Sequence, residues 1–170
     1  MNKLLSRIPK IPPHNAPTKH IPMDWPELHR AAYLGNVIRV ESLAKDPIEL
    51  TARDRWGRGA LHVAVANNNL AAANILLSSG AHVDAQDVLG ISPLHVAVKE
   101  KNIPMMKLLI NYHADPEIRD DKGQSPVTMA RGQASLLEIL EVSYGYLDKK
   151  DSFGQAPGKK SQRLFGFSAG

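Results

Sequence analysis

The chain repeats itself every 33 residues, and that period limits its architecture more than any single residue does. Asp54-Arg55-Trp56-Gly57 aligns with Asp87-Val88-Leu89-Gly90 and with Asp120-Asp121-Lys122-Gly123. Leu61-His62-Val63-Ala64 aligns with Leu94-His95-Val96-Ala97, and both match Leu28-His29-Arg30-Ala31. A period of roughly 20–50 residues marks stacked units, none of which can bury its apolar face alone.

The second unit shows what each repeat encodes. Residues Asp54 to Gly59 are short and polar with two glycines, which fits a turn whose tip needs positive φ. Ala60 to Ala66 is apolar, Asn67-Asn68-Asn69 interrupts it, and Leu70 to Leu77 is apolar almost throughout. Ser78-Ser79-Gly80 closes the run, with Gly80 placed as a left-handed C-terminal cap. The pattern predicts a turn, a short helix, a sharp connection and a longer helix. Helices this short need neighbours on each side. In the third unit Ser92-Pro93 opens the first helix, and Pro93 and Pro104 suit first-turn positions, where an amide would have no partner. Asn36, Asn69 and Asn102 recur at one phase, as expected of N-caps.

Ser92-Pro93-Leu94-His95-Val96-Ala97 resembles the T-P-L-H-x-A signature of the ankyrin repeat family, and Gly80-Ala81-His82-Val83-Asp84-Ala85 is similar to that family's repeat ending. The resemblance spans about residues 21–142, as repeats at about 21–53, 54–86, 87–119 and 120–142. It implies an all-α ankyrin-repeat solenoid of helix-turn-helix units joined by β-hairpin-like tips. Departures are Gly59-Ala60 in place of Thr-Pro, His113 in place of a glycine, and an irregular stretch through Gly132-Gln133. Arg30 and Arg39 stand at phases that are apolar in the second repeat (Val63, Ala72), and Glu138 does the same in the fourth. Polar residues there are expected of terminal repeats that face water.

Charge separates the array from its flanks. Residues 1–20 hold four Lys/Arg and no acid, residues 21–142 hold 12 Lys/Arg against 15 Asp/Glu, and residues 143–170 hold five Lys/Arg against two Asp. The basicity therefore lies in the tails. The N-terminal tail, residues 1–20, is expected to be an extended, solvated leader: six of twelve prolines fall within the first 26 residues. Its apolar run is too short for a secretory signal, and Met1 to Ile8 is only faintly like a mitochondrial presequence. Pro9-x-x-Pro12 lacks the flanking basic residue of an SH3 ligand. The C-terminal tail, residues 143–170, carries all three phenylalanines, Phe153, Phe165 and Phe167. They read either as a docking segment, as a cap on the last helix, or as part of a disordered tail. Arg163-Leu164-Phe165 is similar to a cyclin-docking motif but has Gln162 for its first arginine, and Lys149-Lys150 with Lys159-Lys160 weakly resembles a bipartite nuclear signal. The expected setting is cytoplasmic, with the nucleus second.

Chemistry finds no constellation here. His29, His62 and His95 recur one repeat apart, which stacks them roughly 10 Å from one another by helix packing. Metal ligands must instead converge on one ion. The resemblance implies that these histidines bond to turn backbone. No metalloprotease, nucleophile-elbow or phosphate-loop motif occurs, there is no cysteine, and no stretch reaches the length of a membrane span. The expectation is therefore no catalysis, cofactor, metal or small-molecule substrate.

The resemblance implies a concave face made by the tips and first helices. The candidate partner-binding residues on it are Arg55, Trp56, Arg58, Val88, Leu89, Ile91, Lys122 and Gln124 from the tips, with Tyr33, Leu34, Lys99 and Glu100 from the first-helix ends. Trp56 between two arginines, beside Val88, Leu89 and Ile91, fits an aromatic anchor in an apolar patch. The structural alternative is that Trp56 and Leu89 only pack across neighbouring tips. The expected partner is another protein or a peptide segment, bound by a monomeric adaptor. An electrostatic tether, whose basic tails hold an anionic surface or nucleic acid, is the second reading.

Overall fold

The structure, a computed structural model, describes residues 24–131 and 133–144. Among these residues every regular element is a helix. They are α1 (Glu27–Leu34), α2 (Val37–Leu43), α3 (Pro47–Thr51), α4 (Ala60–Ala66), α5 (Leu70–Ser78), α6 (Pro93–Lys99), α7 (Ile103–Asn111), α8 (Pro126–Ala130) and α9 (Ala134–Tyr144). First helices α1, α4, α6 and α8 stack in sequence, and second helices α2, α5, α7 and α9 form a layer behind them. The expected solenoid is observed, with hairpin-like tips that contain no strand among the described residues.

Two positions explain the stacking. Ala31, Ala64, Ala97 and Ala130 share one phase and are all buried, so a small side chain lets successive first helices approach closely. Leu28, Leu61 and Leu94 share another and are likewise buried, each contributing about 1.5–3 kcal/mol by leaving water. In α4, residues Ala60 to Val65 are all buried because repeats lie on both sides. In the first repeat the corresponding end face is open: Glu27 and Arg30 of α1 and Arg39 of α2 are exposed, Glu27 pairs with Arg39, and Leu34 lines a shallow pocket among them. Arg131, at the phase of buried Val65 and Val98, and Glu138 are exposed at the other end. The terminal repeats thus carry charged residues at phases that are buried in the inner ones, beside exposed Leu34, Ile38 and Ile48 in the first repeat.

Helix ends follow the sequence with two corrections. Asn36 accepts from the Arg39 amide and Asn102 from the Met105 amide, each at 3.1 Å. Asn69 does not cap. Its Nδ2 donates to the Ala32 and Tyr33 carbonyls at 2.7 and 3.0 Å, satisfying the end of the preceding repeat's first helix instead. The second correction is α3, which has no counterpart in the other repeats. Asp46 accepts from the Ile48 amide at 2.9 Å and Pro47 holds the first turn, a local start signal placed where repeat two has its Ser79-Gly80 turn. At the end of α7, His113 takes φ 61° where Gly80 takes 93° after α5. The turn is kept without the glycine, at the cost of left-handed backbone in a residue that carries a Cβ.

Candidate functional site

Each tip is built by one aspartate. The Asp54 carboxylate accepts from the Trp56 and Arg58 amides, Asp87 from Leu89 and Ile91, and Asp120 from Lys122 and Gln124, all between 2.8 and 3.0 Å. Backbone bonds between the first and fifth residues, such as Asp54 N–H to the Arg58 carbonyl, close each loop. The third residue after each aspartate has positive φ, which is why Gly57, Gly90 and Gly123 recur. The tips then join one another: the Val88 amide donates to the Trp56 carbonyl and the Asp121 amide to the Leu89 carbonyl, each at 3.0 Å. The result is a continuous ledge along the array.

The histidines tie first helices to that ledge. Nε2 of His29, His62 and His95 lies 2.8–3.1 Å from the carbonyls of Arg58, Ile91 and Gln124, each in the next repeat. In the second and third repeats Nδ1 accepts a local amide, from Gly59 and Ser92. Nε2 therefore carries the proton and donates, leaving a neutral ring with both nitrogens used. Burial pushes the His62 ring down to about 4 from 6.5, against the opposing pull of its bond to the Ile91 carbonyl. His29 is also lowered, chiefly by burial. These rings join repeats as well as fixing the local turn. Among the described residues no three His, Asp or Glu side chains gather where they could hold a metal, and no helix is long and apolar enough to cross a membrane.

The Trp56 anchor is not on the surface. Its side chain is 5% exposed and Arg58 is equally buried. Arg58 Nε donates to Asp54 Oδ2 at 2.8 Å, and Nη2 lies 2.7 Å from the same oxygen. The Arg58 guanidinium carbon is 4.5 Å from the Trp56 ring and 5.6 Å from the Trp25 ring, and that of Arg55 is 4.6 Å from Trp56. Arg55 also pairs with Asp24 at 3.1 Å. Trp25 continues the cluster, edge-on to Tyr33 at 5.8 Å between centroids and tilted to His29 at 6.4 Å. Trp56 and Arg58 are therefore cement between the first two repeats, worth cation–π attraction on top of their burial. Trp25 and the Asp54–Arg58 pair escaped the sequence reading. The available signals were that Trp25 is one of only two tryptophans and that Asp54 and Arg58 stand at an Asp-x-x-x-Arg spacing.

The other candidates divide. Val88 is 50% and Leu89 38% exposed, side by side on the middle tip. Arg55, Lys99, Lys122 and Gln124 are exposed, whereas Tyr33 and Glu100 are half-buried. Ile91 is not part of an exposed patch: its side chain packs against the core and its carbonyl accepts the hydrogen bond from His62 Nε2. Leu34 is exposed but belongs to the end face of the first repeat. What remains on the ledge is an apolar pair, Val88 and Leu89, on the tip between those that bear Arg55 and Lys122.

Residues 28–77 and residues 61–110 each match the family model for ankyrin repeats (many copies). No curated protein matches the chain.

Proposed function

Because its repeat array belongs to the ankyrin repeat family, whose members are generally protein-interaction modules, we propose that this chain is a non-catalytic adaptor holding a partner protein or peptide against its concave face. The single observation that carries this reading is the exposed Val88–Leu89 pair on the middle tip, on a ledge that is otherwise polar. Exposed aliphatic neighbours cost solubility and contribute nothing to the core, whereas an interface needs an apolar centre with a charged rim. Arg55 and Lys122 on the neighbouring tips, with Lys99 on the first-helix end, supply such a rim. Trp56 and Arg58 act beneath it, holding the second tip in place. A monomer suffices for this role.

The full-length chain, immobilised as bait, tests it beside the same chain carrying Val88→Glu and Leu89→Glu. Partners held by the wild type should be weakened roughly 30-fold or more by the variant, the scale of a lost hot-spot pair. Undiminished capture by a folded variant contradicts the site. The electrostatic tether makes the opposite prediction. Its partners should be lost steeply between low and moderate salt and should ignore the double substitution. The uneven charge, with basic residues concentrated in residues 1–20 and 143–170, is what favours that second reading.

A further inference from the structure

The open face of the first repeat carries more apolar surface than a solvated cap needs. The three most exposed large aliphatic side chains among the described residues all belong to this repeat: Ile38 at 82%, Ile48 at 79% and Leu34 at 63%. Polar outer faces keep terminal repeats soluble, so aliphatic groups held open at one end call for cover. They stand beside charges of both signs. Glu27, Arg30 and Arg39 are exposed, while their equivalents in the second repeat, Ala60, Val63 and Ala72, are buried. Glu27 is paired with Arg39, whereas Arg30 has no ion-pair partner among the described residues.

The order of these groups along α1 decides what can cover them. At the start of α1 lies α3 with Ile48, tied there by the Leu28 amide, which donates to Glu49 Oε2 at 3.2 Å. Glu27 opens α1, and Arg30 follows it by nearly one turn. At the far end are Leu34, the last residue of α1, and Ile38, in the first turn of α2. Leu34 shares one shallow pocket with Glu27, Arg30 and Arg39, so aliphatic and charged groups form a single surface. Along α1 the surface therefore runs aliphatic, acid, base, aliphatic. Reversed, it runs aliphatic, base, acid, aliphatic, which is its own complement. A two-fold axis across the middle of α1 sets Glu27 against Arg30 of a second copy, twice, and Ile48 against Leu34 and Ile38. In an isologous contact of this kind one patch serves both copies.

We propose that a second copy of this chain docks on this face, α1 antiparallel to α1, forming a dimer held by reciprocal Glu27–Arg30 pairs between the Ile48 ends and the Leu34–Ile38 ends. The contact does not use Val88 or Leu89, so it is independent of the partner surface on the middle tip. The dimer carries two such tip ledges, one per copy.

Sedimentation equilibrium of the full-length chain, at concentrations up to about 1 mM, reads the association directly. The wild type is compared with Arg30→Glu, with Glu27→Arg, and with an equimolar mixture of the two variants. Both positions are exposed, and circular dichroism checks that each variant folds. The wild type should pass from monomer to dimer as concentration rises. Arg30→Glu sets acid against acid and Glu27→Arg sets base against base, so each variant alone should associate at least about tenfold more weakly. The mixture restores opposite charges at both reciprocal contacts and should associate about as well as the wild type. A wild type that stays monomeric throughout would overturn the proposal. A dimer that both variants keep, or that their mixture fails to restore, would overturn it equally, because the contact then lies elsewhere on the molecule.

Discussion

At the scale of single residues, the environment of Trp56 decides what its loss would do. Its ring is nearly enclosed, with the guanidinium carbons of Arg55 and Arg58 at 4.6 and 4.5 Å. Trp56→Ala should therefore destabilise the array by about 3–5 kcal/mol, as truncation of a buried aromatic does. Val88→Glu with Leu89→Glu, at half-exposed positions, should change stability by no more than about 1 kcal/mol. Urea denaturation of the two variants checks this, and equal midpoints would contradict the division of labour between cement and contact surface. The family resemblance maps Trp56 to a tip position on the concave face, with packing against a neighbouring tip as the alternative, and the ring is in fact buried. Arg58 links it to Trp25, which lies 31 residues earlier and therefore out of phase with the 33-residue repeat. Alignment of one repeat on another cannot reveal a contact between unlike positions.

The tips are elements in their own right, and two glycines of nearly equal geometry test how they stack. Gly90 and Gly123 have φ of 73° and 75°. A Cβ on Gly90 would meet Asp120 Cα at 3.0 Å and the Asp121 amide at 3.1 Å, whereas a Cβ on Gly123 meets nothing within 4 Å. Both alanine variants pay for left-handed backbone, about 1–2 kcal/mol. Gly90→Ala should cost about 1–3 kcal/mol more because it also pushes neighbouring tips apart. Thermal melts of the pair would show this difference, and indistinguishable melting points would mean that the tips are not packed as described. Much at this scale was legible from sequence: α4 spans the expected residues and α5 runs one residue beyond its expected end. The Asp-x-x-Gly turn was equally plain, because one aspartate and one glycine do all of its local work. The role of Asn69 was not, since a helix start and a cross-repeat bridge call for the same amide side chain.

Across the whole molecule, the histidines make stability depend on pH. The folded His62 ring resists protonation until about pH 4, while in the unfolded chain it takes a proton near 6.5. Protonation therefore favours the unfolded state throughout that window. Stability should be full above about pH 6.5 and fall as pH drops toward 4, by up to about 3 kcal/mol from His62. His29, shifted in the same direction, adds to the loss. Melting temperatures between pH 7.5 and 4.5 give the check, and a flat profile would contradict the neutral-ring assignment. Because each of these rings bonds to the next tip, acid would separate repeats instead of loosening one site.

The central claim is that partners are held on the tip face centred on Val88 and Leu89. It is tested most directly by placing a photo-crosslinking residue, in separate full-length proteins, at Val88 and Lys122 on the tips and at Ala71 and Lys107 on the second-helix layer. The account predicts partner adducts from the two tip positions and few or none from the two second-helix positions. Adducts that form equally from Ala71 and Lys107, or only from them, would contradict it.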